Sequence, residues 1–161
     1  MKPGSQAGRV HSLNVSGGGV PKTPVPSAHV RATGVEGDRQ RDLRYHGGPD
    51  RAVSLFSYEL IESLRADGHP IGAGSIGENL TLVGLDWNQL APGVRLQIGD
   101  VVLEVTSAVP PCKTIAGSFR DGDFNRVSHR SRPARSRFYC RVLAEGVVTA
   151  GDPVTLLAAE G

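Results

Sequence analysis

The sequence predicts an α+β domain that is mostly β, a barrel-like body with few helices, and three observations carry that prediction. The 21 Gly and 11 Pro among 161 residues interrupt regular structure at about one position in five. That frequency excludes a helical bundle and favours short strands joined by turns. Several segments alternate apolar and polar residues, most cleanly Val94–Ile98 and Val101–Thr106 on either side of Gly99-Asp100, a two-residue hairpin turn. Only one segment, from about Ser57 to Asp67, has convincing helical spacing.

Taken in order, residues 1–8 read as a flexible tail, 9–158 as a single domain and 159–161 as a second short tail. Arg9–Val15 is a first strand, with Val10, Ser12 and Asn14 on one face and His11, Leu13 and Val15 on the other. Ser16–Pro21 breaks it, and the three prolines within 21–27 predict an extended loop. Ala28–Ala32 and Arg51–Phe56 read as strands. In the helix, Leu60, Ile61 and Leu64 form one apolar stripe and Glu59 sits where the helix dipole favours an acid. Gly68 stops the helix and Pro70 forbids its continuation. Asn79–Val83, the hairpin, Phe138–Leu143 and Pro153–Leu157 supply further strands, whereas 116–136 is polar and Arg-rich, a loop or a poor helix.

Composition narrows the function. Hydrophobic residues at 39% and charged residues at 21% are the balance of a folded globular chain, against wholesale disorder. No apolar run approaches the ~20 residues of a membrane span, and the N-terminal segment lacks the apolar stretch of a secretory signal. Two Cys exclude a disulfide framework, so a reduced, cytoplasmic protein is expected. A net charge of +2 is too small to indicate nucleic acid as a partner. Fifteen of the 18 basic residues are Arg, which fits the codon usage of a GC-rich genome as well as bidentate recognition of anions.

Gly72–Gly77 spells G-x-G-x-x-G, but a helix precedes it and a strand follows, the reverse of a dinucleotide-binding turn. It is a glycine loop whose backbone N–H groups can approach an anion. Residues 37–51 hold seven charged side chains together with His46, Gly47 and Gly48. This stretch is either a solvated loop or an anion cradle with His46 and Arg51 as donors. Pro110-Pro111 present Cys112 from a rigid loop, and Lys113 beside it favours a thiolate; a buried structural Cys is the alternative. Cys140, sharing a face with Phe138 and Val142, reads as a small core residue. Arg120, Arg126, Arg130, Arg132, Arg135, Arg137 and Arg141 form a basic run, a solvated loop or a phosphate contact. Asp121 and Asp123 interrupt it and aromatics are sparse, so nucleic acid is not the expected partner. The zinc-ligand pattern C-x-x-C, the zincin motif and the serine-hydrolase motif are all missing.

The ordered set Gly34-Val35-Glu36-Gly37-Asp38, His46-Gly47-Gly48 with Arg51-Ala52-Val53, Gly77-Glu78-Asn79-Leu80-Thr81, Gly84-Leu85-Asp86, Pro110-Pro111-Cys112, Arg137–Leu143 and Gly151-Asp152 resembles the MOSC domain, the C-terminal domain of molybdenum cofactor sulfurases. It is most similar to the stand-alone bacterial members, over about residues 9–158. The resemblance implies a mostly-β barrel, a pterin-based molybdenum cofactor, and a functional Cys at Cys112 that ligates Mo or carries sulfur. It implies reduction of N-hydroxylated compounds as the activity, on a small-molecule substrate. On this reading Cys112, Asp38 and His46 act in catalysis. Arg51, Gly47, Gly48, Gly77, Glu78, Asn79, Lys113 and Arg141 contact the cofactor, and Cys112 is the metal ligand. Pyridoxal phosphate, which sulfurases bind in a preceding domain, is not expected in this chain. Electrons would come from a separate reductase, since no flavin, NAD or Fe–S motif is found. Two other readings stand beside it: a sulfur carrier holding a persulfide on Cys112, and a non-catalytic anion- or nucleotide-binding module.

Overall fold

The computed structural model describes residues 6–38 and 48–157, and within them the chain forms eleven strands, one α-helix and several single 3₁₀ turns. The strands are β1 (Gln6–Val15), β2 (Thr23–Val25), β3 (Ser27–Arg31), β4 (Gly34–Val35), β5 (Val53–Ser57), β6 (Leu80–Val83), β7 (Arg95–Ile98), β8 (Val101–Ala108), β9 (Phe138–Ala144), β10 (Gly146–Thr149) and β11 (Pro153–Leu157). The helix α1 spans Tyr58–Ala66.

Seven strands pair in the order β11-β7-β8-β9-β5-β6-β1, and β1 returns to β11, so the sheet closes into a barrel with β2 hung on the end of β1. All of these pairs are antiparallel except β5–β6, the pair joined through α1, as a parallel connection requires. Strand β10 lies with β3 and β4 in a separate three-stranded sheet whose Val30, Val35 and Val148 join the barrel core.

The expected elements are largely where the spacing puts them. Gly99, at φ +60°, makes the hairpin turn between Ile98 and Val101, which face each other across the β7–β8 ladder. In α1, Ser57 Oγ accepts the Leu60 N–H at 3.3 Å, Ile61 and Leu64 are buried, and Gly68 ends the helix region at φ +93°.

Four differences have physical reasons. Strand β1 begins at Gln6 rather than at residue 9, because Gln6–Arg9 pair with β11 to close the barrel. The expected alternation along β1 breaks at a bulge between Val10 and Ser12, which leaves both Val10 and Leu13 in the core. Part of the proline-rich stretch is strand β2, which pairs with the end of β1. Segment 116–136 is not a solvated loop: it carries 3₁₀ turns and lies over a second core. There Ile115, Phe119 and Val127 meet Phe56, Ile61, Leu64, Ile71 and Ile76. Trp87 ties the far end of this segment down, donating its indole N–H to the Ser136 carbonyl at 2.7 Å.

Candidate functional site

Strand β8 ends at Ala108, and Pro110 and Pro111, which carry no N–H, cannot extend the ladder. The chain leaves the sheet after Val109 donates to the Arg137 carbonyl at 2.9 Å. Cys112 then sits in extended backbone, just before the 3₁₀ turn Lys113–Ser118. Its thiol is half-buried, with Sγ 2.7 Å from the Thr114 hydroxyl. Cys140 is fully buried in the barrel, and burial, followed by the Glu104 charge, pushes its thiol far above the ordinary range. The two cysteines therefore differ as their sequence surroundings suggest: Cys112 is the accessible sulfur.

Behind Cys112 lies a buried cation. Arg137, only 7% exposed, donates from Nη1 to the Ile76 carbonyl at 2.7 Å and from Nη2 to the Pro110 carbonyl at 3.4 Å. One side chain thus joins the glycine loop 72–77 to the loop that presents Cys112. Its Nε finds no hydrogen-bond partner among the described residues. Burial lowers its affinity for a proton, while negative charge on Tyr139, Glu78 and Cys112 acts in the opposite sense.

Glu78 shares this buried region and is fully enclosed. Its Oε2 accepts from the Thr81 hydroxyl at 2.9 Å, but Oε1 has no partner among the described residues. Burial pushes the carboxyl up to about 7, and the surrounding main chain, Thr81 and the Arg137 charge offset this only in part.

A third group rests on β9. Arg51 is the last residue of the 3₁₀ turn Pro49–Arg51 and stacks its guanidinium over the buried Tyr139 ring, 5.6 Å from the ring centre. Burial raises the Tyr139 phenol, opposed by the charges of Arg137 and Arg51. Two residues on, and on the same face of β9, Arg141 is half-exposed and paired with Asp50 at 3.3 Å and with Glu104 at 3.7 Å.

Asp38 is the hub of a fourth group. One oxygen accepts the Ser16 N–H at 3.0 Å; the other accepts Lys22 Nζ at 2.6 Å and Asn79 Nδ2 at 2.9 Å. The side chains of Lys22 and Asp38 are only 9% and 5% exposed. Asn79 also accepts the Ser54 N–H through Oδ1 at 3.1 Å and donates to the Asn14 carbonyl at 3.3 Å. The glycine loop is held against Lys22 at Gly74, where a Cβ would lie 2.3 Å from the Lys22 carbonyl oxygen.

The expected site residues therefore fall into distinct places. His46 and Gly47 lie outside the described residues. Glu78 and Asn79, expected as cofactor contacts, have enclosed side chains that bond inside the protein, Glu78 through Oε2 alone, so they build the site from behind. Asp38 is likewise occupied by three donors. Gly77, at φ +88° and packed on Val20, shapes the loop whose Ile76 carbonyl Arg137 grips. Gly48 and Lys113 are exposed, and Arg141 is engaged by two carboxylates. Tyr139 and Lys22 are not among the expected site residues, and Arg137 is expected only as one of a basic run read as a solvated loop or a phosphate contact; the Arg137-x-Tyr139-x-Arg141 alternation opposite Phe138-x-Cys140-x-Val142 is the signal for Arg137 and Tyr139.

Among the described residues no group of three or more His, Cys, Asp or Glu side chains is placed to hold a metal ion. Of the described residues, Cys112 would contribute its soft sulfur to a metal bound here. A half-exposed thiol, a buried guanidinium with an unpartnered Nε and a second Arg on Tyr139 suit an anionic group carrying such a metal. No helix among the described residues is long and apolar enough to cross a membrane.

Comparison with known proteins gives concordant results. The family model described as MOSC domain matches residues 42–155. YflK of Bacillus subtilis (strain 168) is 33% identical over 144 residues, 87% of this chain and 63% of that protein. Protein YiiM of Escherichia coli (strain K12) is 26% identical over 129 residues, covering 78% of this chain and 57% of its own length. The chain thus spans about 63% and 57% of the length of these curated relatives. Among solved structures, YiiM from Geobacillus stearothermophilus superposes with a TM-score of 0.75 at 27% identity, over 93% of this chain and 75% of that one. YiiM from Escherichia coli gives 0.69 at 22% identity, over 95% and 71%, a likeness of fold.

Proposed function

The chain belongs to the MOSC domain family, and from that premise we propose that it binds a pterin-based molybdenum cofactor through Cys112 and reduces N-hydroxylated small molecules. MOSC domains in general are associated with the molybdenum cofactor. The observation that carries the proposal is the half-exposed Cys112 thiol with the buried Arg137 guanidinium behind its loop, in a region with no cluster of protein metal ligands among the described residues.

Each residue has a derivable part. The Cys112 sulfur is a soft ligand suited to a metal held otherwise by dithiolene sulfurs. Pro110 and Pro111 limit its backbone freedom, so the ligand is placed before binding. The Arg137 and Arg51 charges favour an anionic cofactor. Lys22 and Asn79 fix Asp38 next to the glycine loop. In this reading His46 acts in catalysis. When bound, the molybdenum pterin supplies the two-electron chemistry.

Overall, an amidoxime or N-hydroxylated base takes up two electrons and two protons, its N–O bond breaks, and water leaves. The electrons come from a separate reductase or a chemical reductant. Protein from a cofactor-competent host, given such a donor, is expected to convert an amidoxime to the amidine. Cys112→Ser should abolish this conversion. Full turnover by the Ser variant overturns the role given to Cys112.

A further inference from the structure

We infer that Arg137 is a positioning residue, whose buried guanidinium clamps the Cys112 loop to the glycine loop and holds a positive charge behind the Cys112 sulfur. The clamp is visible in its two donated bonds, to Ile76 and to Pro110, two loops that are 34 residues apart in sequence between those positions. A buried Arg is ordinarily neutralised by an ionised carboxylate, because an unpaired buried charge is costly. The acid facing this one is Glu78, and it makes no hydrogen bond to the guanidinium in the structure. Its carboxyl is enclosed and its Oε1 unpartnered, and burial pushes it up to about 7.

While Glu78 holds its proton, the Arg137 charge is left to act on Tyr139 and Cys112, the other groups near it that can carry negative charge. Once Glu78 ionises, it offsets that charge. Arg137 is the charged group facing Glu78. The Lys22–Asp38 pair reaches it only through Asn79, and Arg65 is directed to the Ile71 carbonyl at the other end of the loop. The Cys112 sulfur would thus experience a positive field near pH 6 that weakens near pH 8.

This inference rests on Cys112 being the reacting sulfur of the proposed function, but its test reads the thiol without any metal, so the two can fail separately. The full chain, produced in a host unable to make the pterin, is treated with anionic iodoacetate and with neutral iodoacetamide. Modification of the Cys112 peptide is followed by mass spectrometry. The ratio of the two rates reports the local field, whatever fraction of the sulfur is ionised. Arg137→Gln is expected to lower the iodoacetate-to-iodoacetamide ratio about fivefold at pH 6, and Arg137→Lys to restore most of it. Glu78→Gln should match the wild type at pH 6 and exceed it about fivefold at pH 8, because no carboxylate is then present to offset Arg137. A folded Arg137→Gln protein with the wild-type ratio overturns the inference. If that variant does not fold, the Glu78→Gln comparison decides alone: a ratio equal to the wild type at both pH values overturns it.

Discussion

Replacing Glu78 with glutamine should remove a pH dependence of stability that the wild-type protein carries between about pH 4.5 and 7. The carboxyl is fully enclosed and holds its proton up to about 7, whereas in the unfolded chain it ionises near its ordinary 4.5. Between those values the unfolded state has released a proton that the folded state keeps, so the folded state loses ground as pH rises. The preference is fully present below 4.5, is spent by about 7, and changes no further above that. At about 1.4 kcal/mol per pH unit, the interval amounts to a loss of about 3 kcal/mol. Glutamine keeps the shape and the bond from Thr81 without the titrating proton. Urea denaturation of both proteins at pH 4.5, 5.5, 6.5 and 7.5 measures the effect. Every other titrating group cancels in the difference between the two curves. Stability of the variant relative to the wild type should climb by about 3 kcal/mol across the range. Two parallel curves would show that Glu78 ionises normally and would refute the reasoning.

Three further outcomes are expected. Asp38→Asn leaves the enclosed Lys22 ammonium without its carboxylate, and should cost about 3 kcal/mol in urea denaturation; a loss below about 1 kcal/mol would mean the pair is solvated. Gly74→Ala places a Cβ 2.3 Å from the Lys22 carbonyl at a backbone φ of +79°, and should destabilise by at least about 2 kcal/mol; a variant with the wild-type melting temperature would contradict the close approach. In the native protein Cys112 should be alkylated at least ~100-fold faster than the buried Cys140, as read by peptide mass spectrometry; equal labelling would remove Cys112 from the centre of the site.

The parts of this molecule that can be read from sequence are those where local chemistry and tertiary structure agree. The Gly99-Asp100 turn, the apolar stripe of α1 with its Ser57 cap, and the contrast between a Pro-Pro-Cys loop and a Cys on an alternating strand are all locally encoded. Strand β10 is not, because Val147 faces solvent, only Val148 of its four residues is buried, and its partner β3 is more than a hundred residues away. The segment 116–136 hid its anchors for a similar reason. Phe119 and Val127, with Ile115 just before the segment, follow no helix or strand period, and the core they enter is made by α1 and the glycine loop.

At the site, Cys112 stood out through its neighbours, but Arg137 was lost in a run of arginines. What separates it from Arg135 or Arg141 is the glycine loop lying over it, a contact across 61 residues that no local pattern reports. Glu78 and Asn79 were recognisable as site residues by motif. That they act from inside the barrel wall, through Thr81, Asp38 and Ser54, required the fold.

The central claim is that Cys112 binds metal, and the molybdenum and pterin content of the purified protein tests it most directly. Wild-type protein and Cys112→Ser are produced side by side in a host replete with the cofactor. Each is analysed for metal by mass spectrometry and for pterin by its oxidised fluorescent derivative. The wild type should carry molybdenum and pterin in near-stoichiometric amounts, and the Ser variant should lose both, since a hydroxyl is a poor replacement for a soft thiolate ligand. Wild-type protein that carries no molybdenum, while its Cys112 peptide bears one additional sulfur atom, would contradict the account and assign this chain to persulfide transfer.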